Sequence, residues 1–146
     1  MDWQKISIER LKDYTAREQS LMLIPEQIQA LEMNFVSLRA ARTDSTPVVE
    51  GRGNKREDAL ISNIVSRQEL ERNLAIAEKE IAITNAGLAV LTEEEKKILY
   101  KFYISRRRGY IDELCNELGY ERSQVYAHKD TALKKFTLAC YGIVEL

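Results

Sequence analysis

Few side chains in this sequence are of the types that do chemistry, and none is grouped as a reaction or a metal site would require. Cys115 and Cys140 lie too far apart for a metal knuckle, and His128 has no cysteine or carboxylate neighbours at ligand spacing. We interpret both cysteines as reduced core thiols. We also find no paired-carboxylate site, no phosphate-cradling glycine loop and no nucleophile beside a base. The sequence therefore predicts a protein without catalytic activity, metal or cofactor.

The charges that could act on a ligand are cationic and local. From Lys101 to Ile111 there are four cations and no acid, although the whole chain has a net charge of −1. Residues 1–90 carry a net charge of −2 and residues 91–146 a net charge of +1. A cluster of cations suits sequence-independent contacts with phosphates, and an ordinary solvated loop is the alternative. The four cations are Lys101, Arg106, Arg107 and Arg108.

The residues after this cluster have the pattern of a helix-turn-helix between Tyr110 and Phe136. Gly119 ends a short apolar helix face at the point where a sharp turn requires a positive φ. Cys115 falls where two closely crossing helices need a small residue. The apolar faces predicted for the two helices are Ile111, Leu114, Cys115 and Leu118, followed by Val125, Ala132, Leu133 and Phe136.

About fifty residues of this region resemble a known family. The segment LTEEEKKILYKFYI…GYIDELCNELGYERSQVYAHKDTALKKF is similar to the fourth conserved region of bacterial sigma factors. It is more similar still to the sigma-like C-terminal domain of phage late-gene transcription regulators of the ArpU and RinA type. The resemblance implies a non-enzymatic regulator that binds double-stranded DNA in the cytoplasm of a bacterial host, with RNA polymerase as a further possible partner. At Glu121 the chain departs from the family's usual Ser or Thr cap, and Ser123 capping a helix that starts later would compensate.

By the same resemblance, side chains at the start of the second helix face base edges, and other cations set the register through phosphates. Arginine suits a bidentate contact with guanine, and glutamine suits one with adenine. The base-contact candidates are Arg122, Ser123, Gln124, Ala127 and His128, and the phosphate-contact candidates are Arg106, Arg107, Arg108, Lys129 and Lys134.

The remaining sequence predicts the helices that must hold this unit. With only 6 Gly and 2 Pro the chain favours an all-α fold, and no apolar run approaches the roughly 20 residues that span a bilayer. Two seams spaced by three and four residues predict an N-terminal, coiled-coil-like antiparallel helical hairpin with a loop at 43–57. The domains are then 1–90 for the hairpin and 91–146 for the helix-turn-helix. The seams are Leu21, Ile24, Ile28, Leu31, Phe35 and Leu38, and Leu70, Leu74, Ala77, Ile81, Thr84, Leu88 and Leu91.

Helix boundaries can be read from three local signals. Asp2 can cap the first helix, and Thr92 with Glu95 forms a capping box that starts a helix at about Glu93. Pro25 allows two interpretations, because it either kinks one long helix or opens a second one.

The functional alternatives concern partners. A two-helix hairpin has little core of its own, so we expect apolar surface that joins a second copy, unless the two seams merely bury each other. A DNA-packaging adaptor resembling a terminase small subunit is one rival, although its DNA-binding part usually precedes the hairpin. The other rival is a protein-interaction module that no longer binds DNA, which Glu121 and the near-neutral charge favour.

Overall fold

The computed structural model describes residues 1–43 and 52–142, with side chains for 1–41 and 55–142. The described residues form helices and no strand, which confirms the all-α prediction. The helices are α1 (Trp3–Lys12), α2 (Tyr14–Thr43), α3 (Arg52–Ala89), α4 (Glu93–Leu99), a π-helical segment (Tyr100–Ile104), α5 (Tyr110–Leu118) and α6 (Arg122–Tyr141).

Two of the predicted helix starts are confirmed by their capping hydrogen bonds. Asp2 Oδ1 accepts from the Lys5 N–H at 3.1 Å at the start of α1. At the start of α4, Thr92 Oγ1 accepts from the Glu95 N–H at 3.2 Å, and Glu95 Oε1 accepts from the Thr92 N–H at 3.1 Å. These bonds satisfy N–H groups that have no partner inside the helix, so a local sequence signal fixes both boundaries.

The first long stretch of helix is interrupted at Asp13, not at Pro25. Helix α1 ends at Lys12 and α2 begins at Tyr14, whereas α2 continues through Pro25 to Thr43. Of the two interpretations of Pro25, the one in which it opens a new helix is wrong. Pro25 lies on an exposed side of α2, and a missing N–H costs least where water can reach the freed carbonyl.

The loop predicted at 43–57 is too long, because α2 includes Thr43 and α3 already begins at Arg52; residues 44–51 lie outside the described part of the chain. Gly53 and Asn54 favour a turn by composition, but they occupy the first turn of α3, whose N–H groups have no helical partners in any case. The Arg56 guanidinium donates to the Ala41 carbonyl at 3.2 Å and so satisfies a carbonyl near the end of α2.

Contacts divide the chain into two compact units. Unit 1 comprises Met1–Glu18 and Lys79–Leu146, and unit 2 comprises Gln19–Glu78. In unit 2, Asn63 Nδ2 donates to the Leu31 carbonyl at 2.8 Å, while Arg56 contacts Ala41. The α2 and α3 segments of this unit therefore run in opposite directions. All six predicted seam residues of α2 lie in unit 2, and each of them is only half-buried.

Unit 1 is built on two apolar clusters. The Leu11 side chain is fully buried among α4 and α6, and Ser7 and Thr137 form a fully buried hydroxyl pair at 2.9 Å. The predicted boundary after residue 90 thus differs from the contacts, because α1 and the end of α3 pack with the C-terminal helices. The α1 cluster is Leu11, Leu91, Leu99, Ala132, Leu133 and Phe136; the α5 cluster is Ile98, Phe102, Ile111, Leu114 and Val125.

The π-helical segment lets one short stretch of chain serve both clusters. The Ser105 N–H donates to the Tyr100 carbonyl at 2.8 Å, a bond over five residues. Because residues two positions apart lie on nearly opposite sides of a helix, Phe102 enters the α5 cluster while Ile104 packs against the α1 cluster.

Helix α3 approaches α6 closely at Gly87. A Cβ atom at this position would lie 2.5 Å from Cys140 Sγ and 2.8 Å from Phe136 Cε2. Gly87→Ala should therefore lower the free energy of unfolding by about 1–3 kcal/mol through overpacking. In an unobstructed helix the same change would raise it by about 1 kcal/mol, so the sign is diagnostic.

Urea denaturation followed by circular dichroism would measure this change. The Cys140→Ala background is the matched control, because it removes the nearer of the two obstructing atoms and should recover part of the loss. If Gly87→Ala stabilises the protein, the close approach of α3 and α6 is wrong.

Candidate nucleic-acid interface

A tight connection joins α5 to α6. Gly119 has φ of 71° and its N–H donates to the Cys115 carbonyl at 2.9 Å, which confirms the predicted positive φ at this turn. Tyr120 and Glu121 complete the connection, and α6 begins at Arg122. A left-handed glycine at this position ends α5 and lets the chain reverse within three residues.

Buried apolar contacts fix the start of α6 against α5. Val125 and Leu114 are both completely buried, in the α5 cluster with Phe102 beneath them. The predicted apolar faces are confirmed, except that two of their eight members are half-buried. The buried members are Ile111, Leu114, Val125, Ala132, Leu133 and Phe136, and the half-buried ones are Cys115 and Leu118.

The first turn of α6 is capped by Gln124, one of the predicted base-contact residues. Gln124 Oε1 accepts from the Glu121 N–H at 2.9 Å. Because α6 begins at Arg122, the alternative in which Ser123 caps a later helix is wrong. A bidentate contact with adenine needs both a donor and an acceptor, so Gln124 would have to share its oxygen between the Glu121 N–H and the base, or leave the cap.

The base-contact candidates all lie on the first two turns of α6, and all are exposed. The His128 ring stacks on Tyr120 with centroids 4.5 Å apart and an angle of 18° between the planes. The Tyr120 hydroxyl donates to Glu94 Oε2 at 2.9 Å, so the stack is anchored to α4. The exposed candidates are Arg122, Ser123, Gln124, Ala127 and His128.

The predicted cation cluster divides into compensated and uncompensated charges. Lys101 Nζ pairs with Glu113 at 3.2 Å and with Glu117 at 2.9 Å. The hydrogen bond that Lys101 donates to Glu117 is the main cause that raises the pKa of Lys101. Two carboxylates of α5 therefore compensate the charge of Lys101. The sequence held a signal for this pairing, since Glu113 and Glu117 are four residues apart and share one helix face.

The segment Arg106–Arg108, which we call the arginine segment, is exposed. The Arg106 guanidinium lies over the Tyr110 ring, 4.9 Å from its centroid, which orients one cation of the three. Within the described residues, Arg107, Arg108 and Arg122 form no ion pair. A hollow of about 170 Å³ is lined by Arg122 and by Gly109–Asp112, so Arg122 lies beside the chain that follows the arginine segment.

The two lysines among the phosphate-contact candidates lie in different surroundings. Lys129 has a side chain only 18% exposed, and its Nζ pairs with Asp130 at 2.7 Å. The same Nζ lies 5.7 Å from the Phe102 ring centroid and 5.9 Å from that of Tyr126. Burial is the largest influence and opposes the charged form, but the bond to Asp130 together with the nearby Tyr103 and Tyr126 raises the pKa of Lys129. Lys134, by contrast, is exposed on a later turn of α6.

Comparisons with protein-family models, with curated proteins and with solved structures found no match to this chain. Within residues 1–43 and 52–142, no helix combines the length and apolarity that crossing a bilayer demands. The same residues contain no group of three or more side chains placed to hold a metal ion. The exposed candidate residues for binding a ligand lie on α6 and in the arginine segment.

Helix α6 is tied to α4 by Glu95, which has a side chain 9% exposed and pairs with Lys135 Nζ at 3.1 Å. Burial alone would raise the pKa of Glu95, but the Thr92 N–H and Lys135 outweigh burial and lower it below 4.5. A carboxylate with a lowered pKa stabilises the fold above its unfolded pKa and loses that contribution as the pH falls through its folded pKa.

Glu95→Gln should therefore lower the free energy of unfolding at pH 7 and flatten its decline below about pH 4.5. Chemical denaturation at several pH values between 3 and 7 would measure both effects. Glu93→Gln is the control, because the Glu93 side chain is 93% exposed and its substitution should leave the profile nearly unchanged. Parallel profiles for wild type and Glu95→Gln would contradict the role of this carboxylate.

Proposed function

We propose that this chain is a sequence-specific double-stranded DNA-binding protein, non-enzymatic and of the transcription-regulator type. The supporting observation is the start of α6, which sits on the buried α5 cluster and presents Arg122 beside Gly109–Asp112, the residues that follow the arginine segment. In this proposal α5 and α6 are the two helices of a helix-turn-helix. Such a unit needs a rigid second helix with an exposed first turn and nearby cations, and these features occur together here.

The proposed docking places the first two turns of α6 in the major groove. A helix with its side chains is about 10–12 Å across, and the groove of B-DNA is about 12 Å wide. Arg122 then reads a guanine through two hydrogen bonds, and the stacked His128 offers a ring nitrogen to a base edge. Arg107 and Arg108 hold neighbouring phosphates and set the register.

The surroundings of each cation reduce the set of residues proposed to bind phosphate. Lys129 is placed over aromatic rings and Lys101 is paired with α5 acids, so neither contributes to phosphate binding in this proposal. Lys134 remains as a later phosphate contact. Glu121 lies beside the site, and its carboxylate would repel a DNA phosphate. In this proposal α6 therefore docks in an orientation that keeps Glu121 away from the DNA backbone.

The resemblance to sigma-like phage regulators supports a role in transcription in a bacterial cytoplasm, with RNA polymerase as a further proposed partner. It also agrees with a separate interaction arm. We propose that the antiparallel α2 and α3 segments of unit 2 form a helical hairpin that joins a second copy. The support is the set of large apolar side chains that this unit exposes: Met22, Leu23, Met33, Val36, Ile61, Ile64, Val65 and Ile76.

A second function is favoured by the compensated charges. If Lys101 and Lys129 are representative, the surface of α5 and α6 could serve a protein partner in place of DNA. Glu113 and Glu117, which hold Lys101, are the acids that such a partner would meet. Selection of bound duplexes from a random pool separates the two functions, because a defined motif supports the regulator and no retained DNA supports the interaction module.

With the selected duplex, Arg122→Ala should lose about 1–3 kcal/mol of binding free energy and relax the preference at one base pair. Changing both Arg107 and Arg108 to alanine should instead weaken all duplexes alike and reduce the slope of log affinity against log salt by about 2. Fluorescence anisotropy at several salt concentrations would measure both.

Lys79→Ala is the matched control, since it removes an exposed cation of α3 and should change neither quantity. If the Arg122 variant and the double variant bind every duplex as the wild type does, the docking of α6 is wrong.

A further inference from the structure

Helix α2 carries a second stripe, with four apolar members out of six, that the proposed hairpin does not use. We call it the outer stripe, and its members recur at spacings of four and three residues, the repeat of a coiled-coil seam. At 100° per residue it lies on the side of α2 away from the seam that begins at Leu21. Met22, Met33 and Val36 in this stripe are 71%, 67% and 65% exposed. The outer stripe is Met22, Glu26, Gln29, Met33, Val36 and Ala40, and all six are exposed.

The surroundings of the outer stripe are poor in charge. Residues 19–41 contain three charged side chains, namely Glu26, Glu32 and Arg39, whereas residues 55–78 of α3 contain nine. A helix face kept in water is normally rich in charge, and an exposed apolar stripe with little charge marks a surface that another protein covers. In α3 the charges lie at 55–58 and from Arg67 onward, so the exposed Ile61, Ile64 and Val65 also have uncharged neighbours. The choice between α2 and α3 therefore depends on the charges that flank the outer stripe.

The two charges that flank the stripe indicate what covers it. Glu32 and Arg39 are seven residues apart, each directly before a stripe residue, and so lie along the same edge. Neither forms an ion pair with another described residue. In an antiparallel coiled coil, residues at this position of one helix face the same position of the other. The edge that carries Glu32 and Arg39 is therefore complementary in charge to the same edge of a second, antiparallel copy.

We infer that a second copy of this chain docks on the outer stripe, with the two α2 helices antiparallel about a two-fold axis between Asn34 and Phe35. In this register Met33 packs against Val36 of the partner subunit, and Gln29 packs against Ala40 of the partner subunit. Glu32 faces Arg39 of the partner subunit, and symmetry forms each contact twice. On the other edge Ala30 faces Ser37 of the partner subunit, and these small side chains let the helices approach.

The antiparallel direction follows from the charges. In a parallel pair Glu32 would face Ser37 of the partner subunit and would gain no opposite charge. The antiparallel register compensates both Glu32 and Arg39 and leaves no like pair in contact. This inference specifies the interface for the self-association in the proposed function, and it does not depend on whether α6 binds DNA.

Charge reversal tests the register. Glu32→Arg places two like pairs across the axis, and so does Arg39→Glu, whereas the double variant restores both opposite pairs with their signs exchanged. Sedimentation equilibrium of the full chain should show that each single reversal raises the dimer dissociation constant about tenfold. The double variant should return to within about threefold of wild type. Glu69→Arg, at an exposed position of α3, is the matched control and should leave the constant unchanged.

A second pair of variants tests the stripe itself. Met33→Lys should leave the protein monomeric at tens of micromolar, and Ile61→Lys, at a position of α3 that is 59% exposed, should not. Circular dichroism of each variant establishes that the helices persist.

The inference is overturned if the wild type is monomeric at a hundred micromolar, or if the double reversal associates as weakly as the single ones. It is also overturned if Ile61→Lys dissociates the protein and Met33→Lys does not, which would assign the contact to α3. Selection of DNA is read separately, so a dimer that retains no duplex refutes the regulator and leaves the α2 interface intact.

Discussion

Helix α6 buries one face in two clusters, and unit 1 depends on this burial. Near its start Val125 is enclosed by the α5 cluster, and three turns later Phe136 is enclosed by the α1 cluster. Both side chains are completely buried. Because α6 contributes buried side chains to both clusters, each cluster independently fixes the rotation of α6 about its own axis. The side chains of its first two turns are held outward as a consequence, and this orientation is what a reading helix requires.

Local signals in the sequence predicted much of this fold. Thr92 and Gly119 act through their own backbone neighbours, so their effects can be read from a few residues. The place of α1 could not be read in this way, because the other buried residues of the cluster that encloses Leu11 are eighty or more positions away. The early start of α3 was missed for a different reason. Turn-forming composition at Gly53 carries little weight in a first helical turn, where propensity matters least.

The candidate site was predicted less completely than the fold, and the difference lies in long side chains. The sequence shows which residues carry charge, but the partner of each charge comes from another element. Lys101 is compensated by acids of α5, and Lys129 by Asp130 and two aromatic rings. Arginines in the Arg106–Arg108 segment lie on a connection between helices and meet no such acids. The uncompensated candidates are therefore the arginines of the loop together with Arg122 and Lys134 of α6, and the sequence alone does not separate them from the compensated lysines.

The hydroxyl pair between Ser7 and Thr137 has a consequence for how the protein is made. The two residues are 130 positions apart, so α1 emerges from the ribosome long before its packing partner exists. At about 5–20 residues per second this wait lasts roughly 7–26 s. During that time Leu11 lacks the three α6 side chains of its cluster, Ala132, Leu133 and Phe136. The core of unit 1 therefore cannot close before α6 has been made.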